Sequence, residues 1–159
     1  MERFERDLLV LSYLRQNARM KLTEMSKESR IPVSTLFDMI RSFEMRGVIN
    51  KLTSLVRFEL LGYNGRALVV MSVNKNDRQR LQELLECSRN VNSLYKVNNG
   101  WDFMVELVFP GIKEVEDFIE ELEEGFHLKD KKVFYVVNEI MKERFMANPK
   151  AVEMFGVVA

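Results

Sequence analysis

Cysteine and histidine are almost absent from this chain of 159 residues, which contains one of each, Cys87 and His127. One cysteine cannot form an internal disulfide, which favours a reducing compartment and therefore a cytoplasmic protein. One cysteine and one histidine are also too few for a zinc site with the usual ligand spacing, so we expect neither a metal nor a cofactor. Cys87 follows Leu84 and Leu85 in a predicted helix, where a buried thiol behaves as a small apolar side chain.

Long hydrophobic runs are also missing. The longest, residues 67–71, is far too short to cross a bilayer. Residues 1–7 are charged and lack the apolar segment of a signal peptide. These absences predict a protein with no membrane association.

An excess of charge is missing as well, because 24 basic residues are balanced by 24 acidic ones. The distribution is uneven: residues 1–66 contain 12 basic and 8 acidic residues, and residues 67–159 contain 12 and 16. A basic N-terminal part and an acidic C-terminal part predict two domains with different functions. Residues 1–66 are nevertheless less basic than many DNA-binding domains.

The first fifty residues predict three helices. Phe4, Leu8, Leu11 and Leu14 share one face of the first. The second covers about residues 23–29, with Thr23 as its N-cap, and Pro32 ends it.

The third helix is predicted to begin with Ser34 as its N-cap and to end at Gly47. Its apolar stripe is Leu36, Ile40 and Phe43. A short helix, a tight turn and a longer helix are typical of a helix-turn-helix. Residues 48–60 are rich in β-formers, with a bend at 52–54, and predict a two-stranded wing whose Lys51 and Arg57 contact phosphates.

The second half predicts the order β-α-β-β-α-β of a ferredoxin-like domain. The predicted strands are residues 67–73, 91–97, 103–109 and 132–140, and the predicted helices are residues 76–88 and 112–125. Asn98-Asn99-Gly100 is a turn signal between the two central strands. The chain is therefore predicted to be an α+β protein, with a winged helix-turn-helix and linker strand at 1–60, a ferredoxin-like domain at 61–145 and a tail at 146–159. Met146, Phe155, Val157 and Val158 make the tail apolar enough to pack on a neighbour.

Several short segments, taken in order, resemble the Lrp/AsnC transcription regulators. The segments that resemble the DNA-binding half are Met25-Ser26-Lys27 through Ile31, Ser34-Thr35-Leu36, Ile40-Arg41, Phe43-Glu44 and Gly47-Val48-Ile49. Leu61-Gly62-Tyr63 is similar to the leucine-glycine-tyrosine that precedes the family's second domain, and Val97 to Leu107 is similar to the family's glycine-aspartate hairpin. The resemblance covers roughly residues 7–144.

The resemblance implies a regulator rather than an enzyme. It implies duplex DNA as the partner, and a homodimer, which in this family often assembles further into tetramers or octamers. It also implies an amino-acid effector near the hairpin, which maps onto Asn99, Gly100 and Asp102. The sequence departs from the family where Arg30 replaces the usual glycine and where Trp101 follows the hairpin glycine.

The residues predicted to contact DNA lie on the third helix and just after it. They are Ser34, Thr35, Phe37, Asp38, Arg41, Ser42, Arg46 and Lys51. Arg41 can donate hydrogen bonds to a guanine or to a phosphate. Asp38 can accept a hydrogen bond from the amino group of cytosine, or it repels phosphate. Phe37 and Met39 suit a thymine methyl or a protein partner, or pack within the domain.

Two other functions stay open at this point. The first is a winged-helix interaction module with weak or no DNA binding, which fits the small excess of basic residues and the apolar side chains on the third helix. An enzyme similar to the sirohaem decarboxylases fits the same fold, although residues 93–101 contain no histidine.

Overall fold

In a computed structural model, which describes residues 3–154, the chain forms two compact units. The first unit joins Met1–Leu55 with Ile140–Ala159, and the second is Val56–Glu139. Among the described residues, no helix is both long and apolar enough to cross a bilayer.

The first unit is built on three helices, α1 (Arg3–Gln16), α2 (Leu22–Ser29) and α3 (Val33–Met45). Its fully buried side chains are Val10, Tyr13, Met25, Ile31, Leu36 and Phe43. The predicted stripe of α3 is therefore confirmed. The prediction for α1 is wrong in part, because Val10 and Tyr13 are its most buried apolar side chains and Phe4 is 57% exposed.

The N-caps of both helices lie two residues before the predicted Thr23 and Ser34. The helices α2 and α3 begin at Leu22 and Val33, and neither has a side-chain hydrogen bond at its N-cap. The carbonyls of Lys21 and Pro32 accept the first helical bonds instead, which leaves Thr23 and Ser34 inside the first turn. The end of α3 follows the prediction: Gly47 has φ +68°, and the N–H of Val48 donates to the carbonyl of Phe43 at 2.9 Å.

The predicted strands of the wing do not form. Residues 48–57, all of which are described, contain no strand, and Phe58–Leu61 is a 3₁₀ helix. A tight hairpin needs residues with positive φ at its turn, and the predicted bend at 52–54 has no glycine, asparagine or aspartate. Lys51 and Arg57 therefore lie on an exposed, irregular segment.

The second unit has the predicted βαββαβ order. Its elements are β1 (Gly65–Val73), α4 (Arg78–Cys87), β2 (Val91–Lys96), β3 (Phe103–Phe109), α5 (Ile112–Gly125) and β4 (Leu128–Tyr135). The sheet is antiparallel throughout, in the order β2-β3-β1-β4. The helices α4 and α5 cover one face of it with Leu81, Leu85, Val115, Ile119 and Leu122.

The last strand begins and ends earlier than the predicted 132–140. It pairs with β1 from Val73↔Leu128 to Ala67↔Tyr135, and the N–H of Val136 then donates to the carbonyl of Arg66 at 2.9 Å. Because β1 begins at Gly65, residues beyond 136 have no neighbouring strand, although they are rich in β-formers. The length of the partner strand sets the end of β4.

The C-terminal segment completes the first unit. Pro149–Met154 forms a 3₁₀ helix that packs against α1, and Val152 is buried. Arg15 of α1 donates to the carbonyls of Phe145 and Glu143 at 2.6 and 3.2 Å, and it pairs with the Glu143 carboxylate at 2.9 Å. The described part of the tail, which was predicted to pack on a neighbour, thus packs on its own chain. Phe155, Val157 and Val158 lie outside the described residues.

Candidate nucleic-acid interface

A tight turn joins α2 to α3. Arg30 ends α2 in the left-handed conformation, with φ 59° and ψ 24°, and its N–H donates to the carbonyl of Ser26. The buried hydroxyl of Ser29 accepts a hydrogen bond from the N–H of Ile31 at 3.2 Å. The arrangement is that of a helix-turn-helix, with α3 in the position of the recognition helix.

The outward face of α3 consists of Ser34, Phe37, Asp38, Arg41 and Met45, all exposed. Their spacing of three, four and seven residues puts them on one stripe, opposite the buried stripe of the same helix. Phe37 and Met45 are 56% and 73% exposed. Met39, which the sequence grouped with Phe37, is instead half-buried against the core.

The flank of α3 that faces α1 forms a groove. Thr35, Ser42 and Arg46 line it on α3, and Arg3 and Arg6 line it on α1, around a cavity of about 300 Å³. The groove therefore combines hydroxyl groups, three guanidinium groups and the carboxylates of Asp7 and Asp38. Sequence reasoning missed Arg3 and Arg6, although their spacing of three residues on a predicted helix placed them on one face.

The side chain of Arg46 is held in this groove by three weak contacts. Its Nη2 lies 4.0 Å from the Asp7 carboxylate, and its Nε donates to the Ser42 carbonyl at 3.3 Å. Its guanidinium lies 5.4 Å from the centre of the Phe43 ring. The exposed pair with Asp7 contributes little stability, so Arg46 can exchange that carboxylate for a phosphate.

The predicted contact residues thus fall into three places. Ser34, Phe37, Asp38 and Arg41 are on the outward face, Thr35, Ser42 and Arg46 are in the groove, and Lys51 lies six residues beyond the end of α3. The individual DNA contacts of these side chains stay predictions.

The predicted hairpin turn is confirmed in the second unit. Asn99 and Gly100 have φ values of 62° and 90° at the two central positions, which is the pattern of a type I′ turn. Both are exposed. Beside the turn, the ammonium of Lys132 lies 5.6 Å from the centre of the Trp101 ring.

Asp102, the third predicted effector residue, is bound within the unit. Its Oδ2 accepts the N–H of Val73 at 2.8 Å, and its Oδ1 pairs with Arg78 at 2.5 Å. The carboxylate therefore joins the end of β1 and the first residue of α4 to the hairpin. An amino-acid amine would have to compete with Arg78 for it, and its role in effector binding stays a prediction.

The sheet face turned away from α4 and α5 is apolar with a polar centre. Register puts Leu68, Val70, Tyr95, Met104 and Phe134 on it. Of these, Leu68, Tyr95 and Phe134 are 37%, 56% and 55% exposed.

Arg66 and Glu106 form the polar centre of this face. Arg66 lies 2.6 Å from Glu106 and 2.6 Å from Glu139, and Glu106 also accepts hydrogen bonds from Asn92 and Ser93. Burial lowers the pKa of Arg66, but the hydrogen bonds to Glu139 and Glu106 outweigh it and raise the pKa above its ordinary value. The guanidinium is therefore charged and paired within one chain.

Comparison with known proteins matches both units. Residues 3–50 match the family described as winged helix-turn-helix DNA-binding. An uncharacterized HTH-type transcriptional regulator of Pyrococcus furiosus is 25% identical over 94% of this chain and 100% of its own length.

Two solved structures share the fold. The LrpC structure of Bacillus subtilis has a TM-score of 0.77 at 20% identity and covers 86% of this chain and 95% of its own. A transcriptional regulator of Neisseria meningitidis, solved as a complex with L-Met, has a TM-score of 0.79 at 17% identity and covers 89% and 93%. The resemblance seen in the sequence therefore extends to the three-dimensional fold and to the order of the two domains, and the chain is similar to Lrp/AsnC transcriptional regulators along most of its length.

Proposed function

We propose that this regulator binds duplex DNA as a homodimer or a higher oligomer of homodimers, with α3 in the major groove, and that a small molecule modulates it. The observation that carries the proposal is the outward face of α3, whose side chains are exposed and which is flanked by arginines. We infer that it acts in the cytoplasm and as a regulator rather than as an enzyme.

The two parts of the interface have different tasks. Ser34, Asp38 and Arg41 lie where a recognition helix meets base edges, and their donors and acceptors suit sequence-specific contacts. The groove arginines Arg3 and Arg46 suit phosphates, which supply affinity but no sequence information.

A second copy of the chain suits the open face of the sheet. Leu68, Tyr95 and Phe134 expose apolar area, and its burial against a second copy would lower the free energy of the complex. Since Arg66 and Glu106 already pair within one chain, a symmetric partner would cover them without leaving an unpaired charge. This supports a homodimer formed through the sheet.

An amino acid is the effector class that we propose, at the exposed Asn99-Gly100 turn next to Asp102. Support comes from the L-Met bound to the Neisseria meningitidis structure. A thermal-shift screen of the twenty L-amino acids tests it, because a ligand that binds only the folded state raises the unfolding temperature. No shift with any of them at millimolar concentration would contradict the proposal.

The DNA experiment starts with selection of duplexes from a random library by the purified protein. The selected duplex is then titrated at about 50 and 200 mM salt, where each phosphate contact contributes a slope of about −0.9 in log K against log salt. Arg41→Ala should weaken binding and leave the fold intact, because its side chain is exposed. Arg89→Ala removes the same charge from an exposed position of the second unit and should bind like the wild type. Equal affinities of the two variants would show that α3 is not the recognition helix.

The dimer experiment uses light scattering on Phe134→Glu and Leu84→Glu. Phe134→Glu places a charge on the open sheet face and should halve the mass of the dimer. Leu84→Glu makes the same kind of change on α4, on the other side of the sheet, and should leave the mass unchanged. An unchanged mass for Phe134→Glu would place the dimer contact elsewhere.

A protein partner for α3 is the second candidate function. The exposed Phe37 and Met45 favour it, because apolar side chains on a surface often mark protein contacts. Titrations that show no binding to any duplex at either salt concentration would support this candidate over DNA binding.

A further inference from the structure

The outward face of α3 contains two apolar side chains that the fold does not use. Phe37 and Met45 are 56% and 73% exposed, and neither belongs to the apolar cluster of the first unit. Removing either should therefore cost little stability. A large ring that is exposed on the recognition helix is available for a ligand.

The charge of this face directs it toward bases and away from phosphates. Its exposed charged residues are Arg41, Asp38 and Glu44, one positive and two negative, whereas the basic residues Arg3, Arg6 and Arg46 lie in the groove beside it. A face without an excess of positive charge gains little from the phosphate backbone. Its apolar groups need an apolar contact on the floor of the major groove.

Thymine is the standard base with an apolar group there, its 5-methyl group. Phe37 is the fifth residue of α3, within the half of a recognition helix that meets base edges. We propose that Phe37 packs on a thymine 5-methyl group and so determines one position of the operator. The inference rests on the proposed function, DNA binding through α3.

Met45 provides a matched control on the same face. It is the last residue of α3, eight residues after Phe37, which corresponds to about 12 Å along the helix axis. The C-terminal end of a recognition helix lies further from the bases. Met45→Ala should therefore leave recognition of the thymine methyl unchanged.

The experiment replaces each thymine of the selected duplex by deoxyuridine, one position at a time. Deoxyuridine keeps the hydrogen bonds of thymine and lacks only the methyl group. For the wild type, one substitution should reduce affinity about fourfold, which is the effect of burying one methyl-sized group. With Phe37→Ala the same pair of duplexes should bind equally, and with Met45→Ala the fourfold difference should persist. Phe37→Leu should keep part of the difference, because it remains apolar, and circular dichroism checks that each variant folds.

The results that would overturn the role of Phe37 differ from the result that would overturn DNA binding itself. A selected duplex without thymine in the contacted segment, or affinities that no deoxyuridine substitution changes, overturns the assignment of Phe37 while DNA binding stands. A methyl effect of equal size in wild type and Phe37→Ala assigns the methyl contact to another residue. No binding of the wild type to any duplex overturns the proposed function and this inference with it.

Discussion

Replacing Arg30 by glycine should stabilise the protein. Arg30 has φ 59° and ψ 24°, and among residues 3–154 its side chain makes no ion pair. A residue with a Cβ in this conformation costs about 1–2 kcal/mol, and the greater freedom of glycine in the unfolded chain offsets about 0.4–1 kcal/mol. The expected net gain is about 0.5–1 kcal/mol for Arg30→Gly.

Urea unfolding followed by circular dichroism at 222 nm measures this gain, since the first unit is helical. Thermal unfolding should shift upward by about 2–4 °C per kcal/mol for a protein of this size. Arg30→Ala is the control: it removes the charge and keeps the Cβ, so its midpoint should stay near that of the wild type. If Arg30→Ala is stabilised as much as Arg30→Gly, the backbone explanation is wrong and the charge is responsible.

Three further changes test the packing of the two units. Burial and the Glu116 carboxylate, to which the Tyr135 hydroxyl donates, raise the pKa of Tyr135 to about 12. Above pH 10 the unfolded state therefore loses the phenol proton while the folded state keeps it, so the stability of the wild type should fall from about pH 10 to 12. Thermal unfolding across that range should show a smaller fall for Tyr135→Phe. Gly65→Ala should destabilise the protein strongly or prevent folding, because the new Cβ would lie 2.1 Å from the carbonyl oxygen of Gly111. Gly125→Ala is the control: its Cβ would meet open space, so the melting temperature should stay nearly unchanged. Ser12→Ala should stabilise by about 1 kcal/mol in urea unfolding, since its fully buried hydroxyl has no hydrogen-bond partner among the described residues, and a loss of stability would reveal such a partner.

The parts of the fold that the sequence predicted correctly have both a clear period and clear boundaries. The strand β3 and the helix α5 match the predicted 103–109 and 112–125 because Pro110-Gly111 separates them. The buried residues Val115, Ile119 and Leu122 repeat every three or four positions, as a half-buried helix requires.

Strand propensity alone failed at two places. The wing and residues 136–140 are rich in β-formers, but a strand also needs a neighbour that accepts and donates its hydrogen bonds. Val137 is 97% exposed for this reason. The presence of such a neighbour depends on the tertiary structure, which local composition does not contain.

The candidate site was predictable only along α3. Once Leu36 and Phe43 are assigned to the core, helical geometry puts Arg41 and its neighbours on the opposite face. The contribution of Arg3 and Arg6 depends on how α1 packs across α3, which no pattern within either helix specifies.

The return of the C-terminal segment to α1 imposes an order on folding during synthesis. The helix-turn-helix leaves the ribosome first, but Glu143, which pairs with Arg15 from 128 positions away, follows only after Val56–Glu139. At about 5–20 residues per second, roughly 4–17 s separate the two halves of the first unit. The ferredoxin-like unit thus becomes available to fold before the DNA-binding unit has all of its own chain. A chain truncated within residues 140–159 would therefore keep the whole ferredoxin-like unit but have an incomplete α1 surface.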